Sequence, residues 1–435
     1  MFADDTKRLI KFIEETPTCY HGVANISKVL RDNGYVELSE EREWDITHGG
    51  KYFVLRNMSS VIAFAVPKRE YSGFMITASH SDSPCFKIKP KGEMEDGFYV
   101  KLNVERYGGM IYSTWLDRPL SVAGRVVVAA EHGIETRLVN IDRDLVLIPN
   151  LAIHMNGEIN KGYVYNPQVD LLPLMGSAGT KGTFMKLVAE AAEVKEESIL
   201  GSDLFLYNRG KGCIWGVEEE YFSAPRIDDL QCAYSCLQGF LNSGNSEAIR
   251  VLAVFDNEEV GSGTKQGAKS GFLADTLERI NEGLGNSRGY YKRALASSFM
   301  LSADNGHGVH PNHPQKSDPT NRPTLNGGVL IKYNANQKYT TDGVAEAALK
   351  LILDRNSIPY QSYVNRSDVL GGSTLGNLAA EKVSVNTADI GLAQLAMHSS
   401  YETAGVKDTA FMIEAAKEFY STVITADGAG RYNIE

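Results

Sequence analysis

The chain predicts an α/β fold: a mostly parallel or mixed sheet flanked by helices, interrupted by a β-rich insertion. Beyond Asp228, helix-like and strand-like segments alternate, as in a sheet covered on both faces. Between about Gly92 and Pro225 the texture changes to β-branched, alternating, turn-punctuated runs, as an antiparallel unit requires. A third observation places the chemistry. Several short apolar runs end in acids or a histidine, and open α/β sheets bind ligands beyond the carboxyl ends of their strands. The resulting division is 1–91 and 226–435 for the α/β domain and 92–225 for the insertion.

The elements follow in order. After the opening helices, "SSVIAFAVP" and "GFMITASHSDSP" read as strands, the second ending at His80. "GFYVKLNVERYGG", "MIYSTWLDRPLSVAGRVVVAA" and "ETRLVNIDRDLVLIPNLAIHM" supply the insertion. A helix near "DDLQCAYSCLQGFLNSG" then precedes strand "AIRVLAVF", a helix after "GTKQGAKSGFLADTLERI", strands "SSFMLSAD" and "GGVLIKYN", and the helix "DGVAEAALKLILDRNSI".

Composition narrows the function. The 435 residues, 43% of them hydrophobic, suffice for sizeable cores in two domains. A net charge of −10, with no Lys/Arg run, argues against nucleic acid. The N-terminus carries acids where a signal peptide needs basic residues, and no run of about 18 apolar residues would span a membrane. The five cysteines, at no zinc-finger or redox spacing, fit a reduced compartment. The expectation is a cytoplasmic protein without a membrane partner.

Glu258 and Glu259 follow the apolar run "VLAVF" directly. A glycosidase needs carboxyls roughly 5 to 9.5 Å apart across a sugar, a spacing that adjacent residues seldom supply. An acidic helix N-terminus is the alternative. The rest of the chain favours a metal centre: His80, Asp228 in "PRIDDL", Asp304 in "SADNG" and His398 in "LAMHSSYETAG" add the mixed nitrogen and oxygen donors of a two-zinc site. One carboxylate can bridge two ions, each ion then takes a histidine and a carboxylate, and one further carboxylate remains as a base.

The segments "ASHSDSPCFKIKP", "YGGMIYSTWLDRPLSVAGRV", "IPNLAIHMN", "PRIDDL", "FDNEEVGS", "SADNGHGVHPNH", "IKYNANQKYTTDG" and "GGSTLGN" resemble, in order and over nearly the whole chain, those of the M18 metallo-aminopeptidases. The resemblance implies two divalent ions per subunit, Zn²⁺ first and Mn²⁺ or Co²⁺ as alternatives. They would be held by His80, Asp228 (bridging), Glu259, Asp304 and His398. It implies Glu258 as catalytic base and Asp82 as the acid orienting His80. The doublet Asp228–Asp229 departs from the Asp-Asn often seen in relatives, which leaves either able to bridge. His154, read alone, is a structural histidine; the resemblance makes it a group that reaches a neighbouring subunit's site. The insertion then becomes a dimerisation domain, and dimers assemble further, into dodecamers in some relatives. The implied substrates are short peptides. Lys332, in a stretch similar to the substrate pocket of aspartyl aminopeptidases, implies a preference for N-terminal Asp or Glu. Neutral or hydrophobic residues are the alternative, and an inactive zinc-stabilised scaffold is a third reading.

Other motifs read as structure. Pro311 and Pro314 keep His307, His310 and His313 off one helical face. "GSGTKQGAKSG" lacks the G-K-[ST] of a phosphate loop. "GGSTLGN" lacks a dinucleotide pattern, and Trp115 with Asp117 and Arg118 reads as core and edge of the insertion.

Overall fold

The computed structural model describes residues 2–244, 247–428 and 430–435. In chain order the strands are β1 (Val36–Leu38), β2 (Lys51–Arg56), β3 (Ser60–Ala65), β4 (Phe74–His80), β5 (Cys85–Glu95), β6 (Tyr99–Tyr107), β7 (Leu120–Ala130), β8 (Gly133–Asn140), β9 (Leu174–Ser177), β10 (Ile199–Asn208), β11 (Cys213–Trp215), β12 (Tyr221–Ala224), β13 (Ile249–Phe255), β14 (Phe299–Ala303), β15 (Gly306–His307), β16 (Val329–Tyr333), β17 (Tyr360–Val364), β18 (Asn386–Gly391), β19 (Ala393–Leu395), β20 (Glu402–Gly405), β21 (Ile424–Ala426) and β22 (Tyr432–Ile434).

The main sheet runs β1-β2-β3-β13-β4-β14-β18-β16-β17. It is mixed: β2–β3, β3–β13 and β16–β18 pair antiparallel, and the other neighbours pair parallel. Both faces are covered, which is why its strands read as continuous apolar runs. In β3, Val61, Ala63 and Ala65 face one core while Ile62 and Phe64 face the other. Helices Ile227–Asn242 and Asp408–Ser421 pack on the first face, and helix Phe272–Gly283 on the second.

The second sheet, β8-β7-β10-β5-β6-β9, is antiparallel throughout and has its own core, capped by helix Phe184–Ala191. Its strands run from Cys85 to Asn208, so the expected breaks after 91 and 225 fall within β5 and beyond β10. Trp115 is buried in this core, edge-on to Phe86.

A third sheet, β11-β12-β20-β19-β15, has no counterpart in the sequence reading. Its strands are two to four residues long, too short for any alternation to show. Among the described residues no helix is long and apolar enough to cross a membrane.

Candidate metal centre

Three neighbouring parallel strands, β13, β4 and β14, end at the same edge of the main sheet. Phe255 is level with His80 in the β13–β4 pair, so the turn after β13 delivers Glu258 and Glu259 beside His80, and Asp304 follows β14 directly. The third sheet delivers the rest from the other side. The chain leaving β12 carries Asp228, and the β19–β20 hairpin carries His398 on its loop. Arg226, Asn257 and His398 all adopt positive φ, so at each delivery point the chain turns sharply.

The side chains converge. His80 Nε2 lies 3.5 Å from Asp228 Oδ1, and His398 Nε2 lies 3.4 Å from Asp228 Oδ2 and 3.5 Å from Glu259 Oε2. Donor atoms of His80, Asp228 and Asp304 come within 4.8 Å of one another, as do those of Asp228, Glu259 and His398, and of His80, Glu258 and Glu259. The first two groups share Asp228. Asp229 faces elsewhere: its Oδ2 accepts the His80 backbone N–H at 3.2 Å. Asp228 Oδ1 and Glu259 Oε1 are buried with no hydrogen-bond donor, a costly state for carboxylate oxygens unless a cation compensates them. Two imidazoles and borderline-hard carboxylate oxygens are the donor set zinc takes. The residues fit the metal.

Asp82 organises one side of the cluster. Its carboxylate accepts Tyr107 OH at 2.6 Å and the backbone N–H groups of Glu258 and Glu259 at 3.1 and 3.2 Å, and lies 3.4 Å from His80 Nδ1. His80 Nδ1 also lies 3.1 Å from the Asp82 carbonyl. With both neighbours acceptors, Nδ1 carries the proton and Nε2 is left with its lone pair toward the cluster. Gly108 packs against Glu259, where an added Cβ would stand 3.2 Å from the glutamate Cβ at a φ of +73°.

Burial and neighbouring acids push Glu258 up to about 8, against the opposing pull of His80. Burial raises Glu259 well above its ordinary value and Asp304 to about 6. Asp228 goes the other way: the raising effect of its burial is outweighed by the two imidazoles beside it, His398 and His80, which hold it low. Both histidines are raised despite burial, chiefly by Asp228.

Two expected residues lie differently. Lys332 is 1% exposed, with Nζ donating to the Asn305 carbonyl at 2.8 Å and lying 3.9 Å from Asp304 Oδ1. His154 sits in an exposed segment outside the cluster, flanked by exposed Leu151, Ile153 and Met155. Asp117 anchors the start of that segment by accepting both N–H and Nδ2–H of Asn150. His307, His310 and His313 join no metal-binding group among the described residues. In "GSGTKQGAKSG", Thr264 and Gln266 donate to the Asn257 side chain and hold the glutamate turn, while Thr374 of "GGSTLGN" donates to Asp389. Sequence reasoning missed Tyr107 and Glu402. The only trace of Glu402 was an acid four residues after His398.

The model of the M18 aminopeptidase I zinc metalloprotease family matches residues 12–420. Over 424 residues the chain is 47% identical to "Probable M18 family aminopeptidase 2" of Clostridium acetobutylicum, covering 95% of this chain and 98% of that one. It superposes on a chain from the Ape4–Nbr1 complex with a TM-score of 0.94 at 35% identity, covering 97% of this chain and 86% of that one. On the S. cerevisiae mApe1 dodecamer the TM-score is 0.85 at 27% identity, with 96% and 97% covered.

Proposed function

The chain belongs to the M18 family of zinc aminopeptidases, and on that premise we propose that it removes the N-terminal residue of short peptides at a two-zinc centre. The observation that carries the two-ion reading is that two groups of donors share Asp228. His80 and Asp304 would complete one position, and Glu259 and His398 the other. Zinc bound there supplies a Lewis acid and lowers the proton affinity of an attacking water.

The remaining chemistry belongs to the chain. Glu258 ligates neither position in this assignment yet stands beside His80 and Glu259, so it takes a proton from the attacking water and returns it to the leaving amine. Asp82 fixes the His80 tautomer and, through the two backbone N–H groups, the turn that carries Glu258 and Glu259. His154 would stabilise the developing oxyanion in a neighbouring subunit. Its exposure among apolar residues supports a subunit contact, with the unit around the second sheet as the dimerisation domain. The mApe1 dodecamer supports further assembly. Five cysteines without disulfides support a cytoplasmic setting.

The finer reading is a preference for N-terminal Asp or Glu. Lys332 supports it as a buried cation beside Asp304, with Nζ bonded to the Asn305 carbonyl, 3.9 Å from Asp304 Oδ1 and 5.4 Å from the Tyr339 ring centroid. A second reading, preference for neutral residues, is favoured by the same burial, because Asp304 already neutralises the charge. Metal content per chain, with kcat/KM for Asp-, Glu-, Leu- and Ala-initiated peptides in the wild type and Lys332→Met, tests both levels. Two zincs and an acidic preference lost in the variant support the full reading. One zinc per chain removes the bridge, and faster cleavage of Leu-initiated peptides removes the acidic preference.

A further inference from the structure

Glu402 is buried at the start of β20, between β12 and β19 in the third sheet. It stands level with Ala224 of β12. The chain beyond β12 leads to Asp228 and the chain beyond β19 leads to His398, so one side chain sits between the two segments that carry these residues. Its carboxylate engages both. Oε2 accepts the Asp228 backbone N–H at 3.0 Å, and Oε1 accepts the His398 backbone N–H at 2.7 Å. The network continues through Gln394, whose Nε2 lies 3.5 Å from Oε1, and whose Oε1 accepts Asn305 Nδ2 at 2.8 Å. Asn305 directly follows Asp304, and its carbonyl holds Lys332.

We propose that Glu402 is a positioning residue that sets the separation of Asp228 and His398, and that Gln394 and Asn305 extend this tie to Asp304. The inference rests on the assignment of those three residues as zinc ligands. The geometry makes the carboxylate hard to replace. Two backbone N–H donors converge on two acceptor oxygens, so a glutamine would present its NH₂ to one of them and an alanine would leave both unpaired. His398 has positive φ, and its peptide N–H is held by Glu402 alone among the contacts described. Releasing it leaves His398 held through its carbonyl, which accepts the Ile111 N–H at 3.0 Å, and loosens the loop that sets the imidazole against Asp228 Oδ2.

The test measures zinc affinity by competition with a chromophoric chelator, beside the melting temperature with and without zinc. Glu402→Gln is expected to weaken zinc about 10- to 100-fold, as losses of groups supporting a ligand typically do. Saturating zinc should restore most of kcat, with KM unchanged. Gln394→Met, which cuts only the extension, should weaken zinc by less than tenfold, and it keeps the test open if Glu402→Gln does not fold. Wild-type zinc affinity in both variants, with melting temperatures lowered equally in the loaded and stripped states, would reduce Glu402 to a structural role. Asp228→Ala separates the two levels: if it keeps wild-type zinc affinity, the ligand assignment fails, whatever Glu402 does.

Discussion

Removing the Asp82 carboxylate should uncouple His80 from the turn that bears Glu258 and Glu259. In Asp82→Ala, Tyr107 OH and the two backbone N–H groups lose their acceptor, and His80 Nδ1 loses the carboxylate 3.4 Å away. An unsatisfied buried donor costs about 1–3 kcal/mol. The low end is taken because Tyr107, Glu258 and Glu259 are, as whole residues, only half-buried. Three donors then cost about 3 kcal/mol, which for a chain of this length lowers the melting temperature by roughly 3 °C. Zinc affinity should fall about 10-fold, because the carboxylate that steadies the His80 ring is gone, while the Asp82 carbonyl 3.1 Å from Nδ1 survives the substitution and still favours the same tautomer. Tyr107→Phe is the control. It leaves both N–H groups on Asp82 but removes the Tyr107 donor and the oxygen that accepts Asn257 Nδ2 at 2.9 Å, so it should cost about 1–2 kcal/mol and less than tenfold in affinity. Chelator competition and thermal unfolding, each with and without zinc, measure both quantities. If Asp82→Ala binds zinc as tightly as the wild type, Asp82 does not orient His80.

Glu258→Gln should lower kcat by about 10² to 10⁴-fold while keeping the wild-type zinc content; loss of an ion in this variant would exchange the roles of Glu258 and Glu259. Mixing inactive Glu258→Gln and His154→Ala chains under subunit exchange should restore some activity, because mixed pairs contain one site with both groups; no recovery despite proven exchange would return His154 to a structural role. Zinc-stripped protein should lose stability between about pH 6.5 and 8.5. Glu258 is raised by burial to about 8 and Asp408 to about 7, so the folded state binds more protons than the unfolded one, and that advantage disappears as the pH rises through these values. His80 and His398, also raised, add to the same fall, whereas the lowered His21 and His307 act in the opposite sense only below about pH 6.5, the ordinary histidine value. Bound zinc should flatten or reverse the slope, since it displaces protons from its ligands; thermal unfolding across this range that shows no fall in the stripped protein would contradict the burial argument.

Much of the centre was legible without coordinates because its chemistry sits at the ends of strands, and strands announce themselves locally. His80, Glu258, Glu259 and Asp304 each close or follow an apolar run buried on both faces, a pattern that alternation and composition reveal. His398 follows no such run: composition offered it as a candidate donor, and the resemblance to a family gave it the role of a ligand. Tertiary structure alone decided the rest. The two carboxylates of Asp228 and Asp229 are adjacent in sequence, and only the packing turns one toward both imidazoles and the other toward the His80 backbone. Lys332 reads as a free cation until the fold buries it against Asp304. Tyr107 and Glu402 act on residues 25 and 174 positions away. The third sheet is built from strands too short to carry a period of their own. Its pairing is set by segments brought together from distant parts of the chain, and a hydrogen-bond partner of that kind leaves no trace in local sequence.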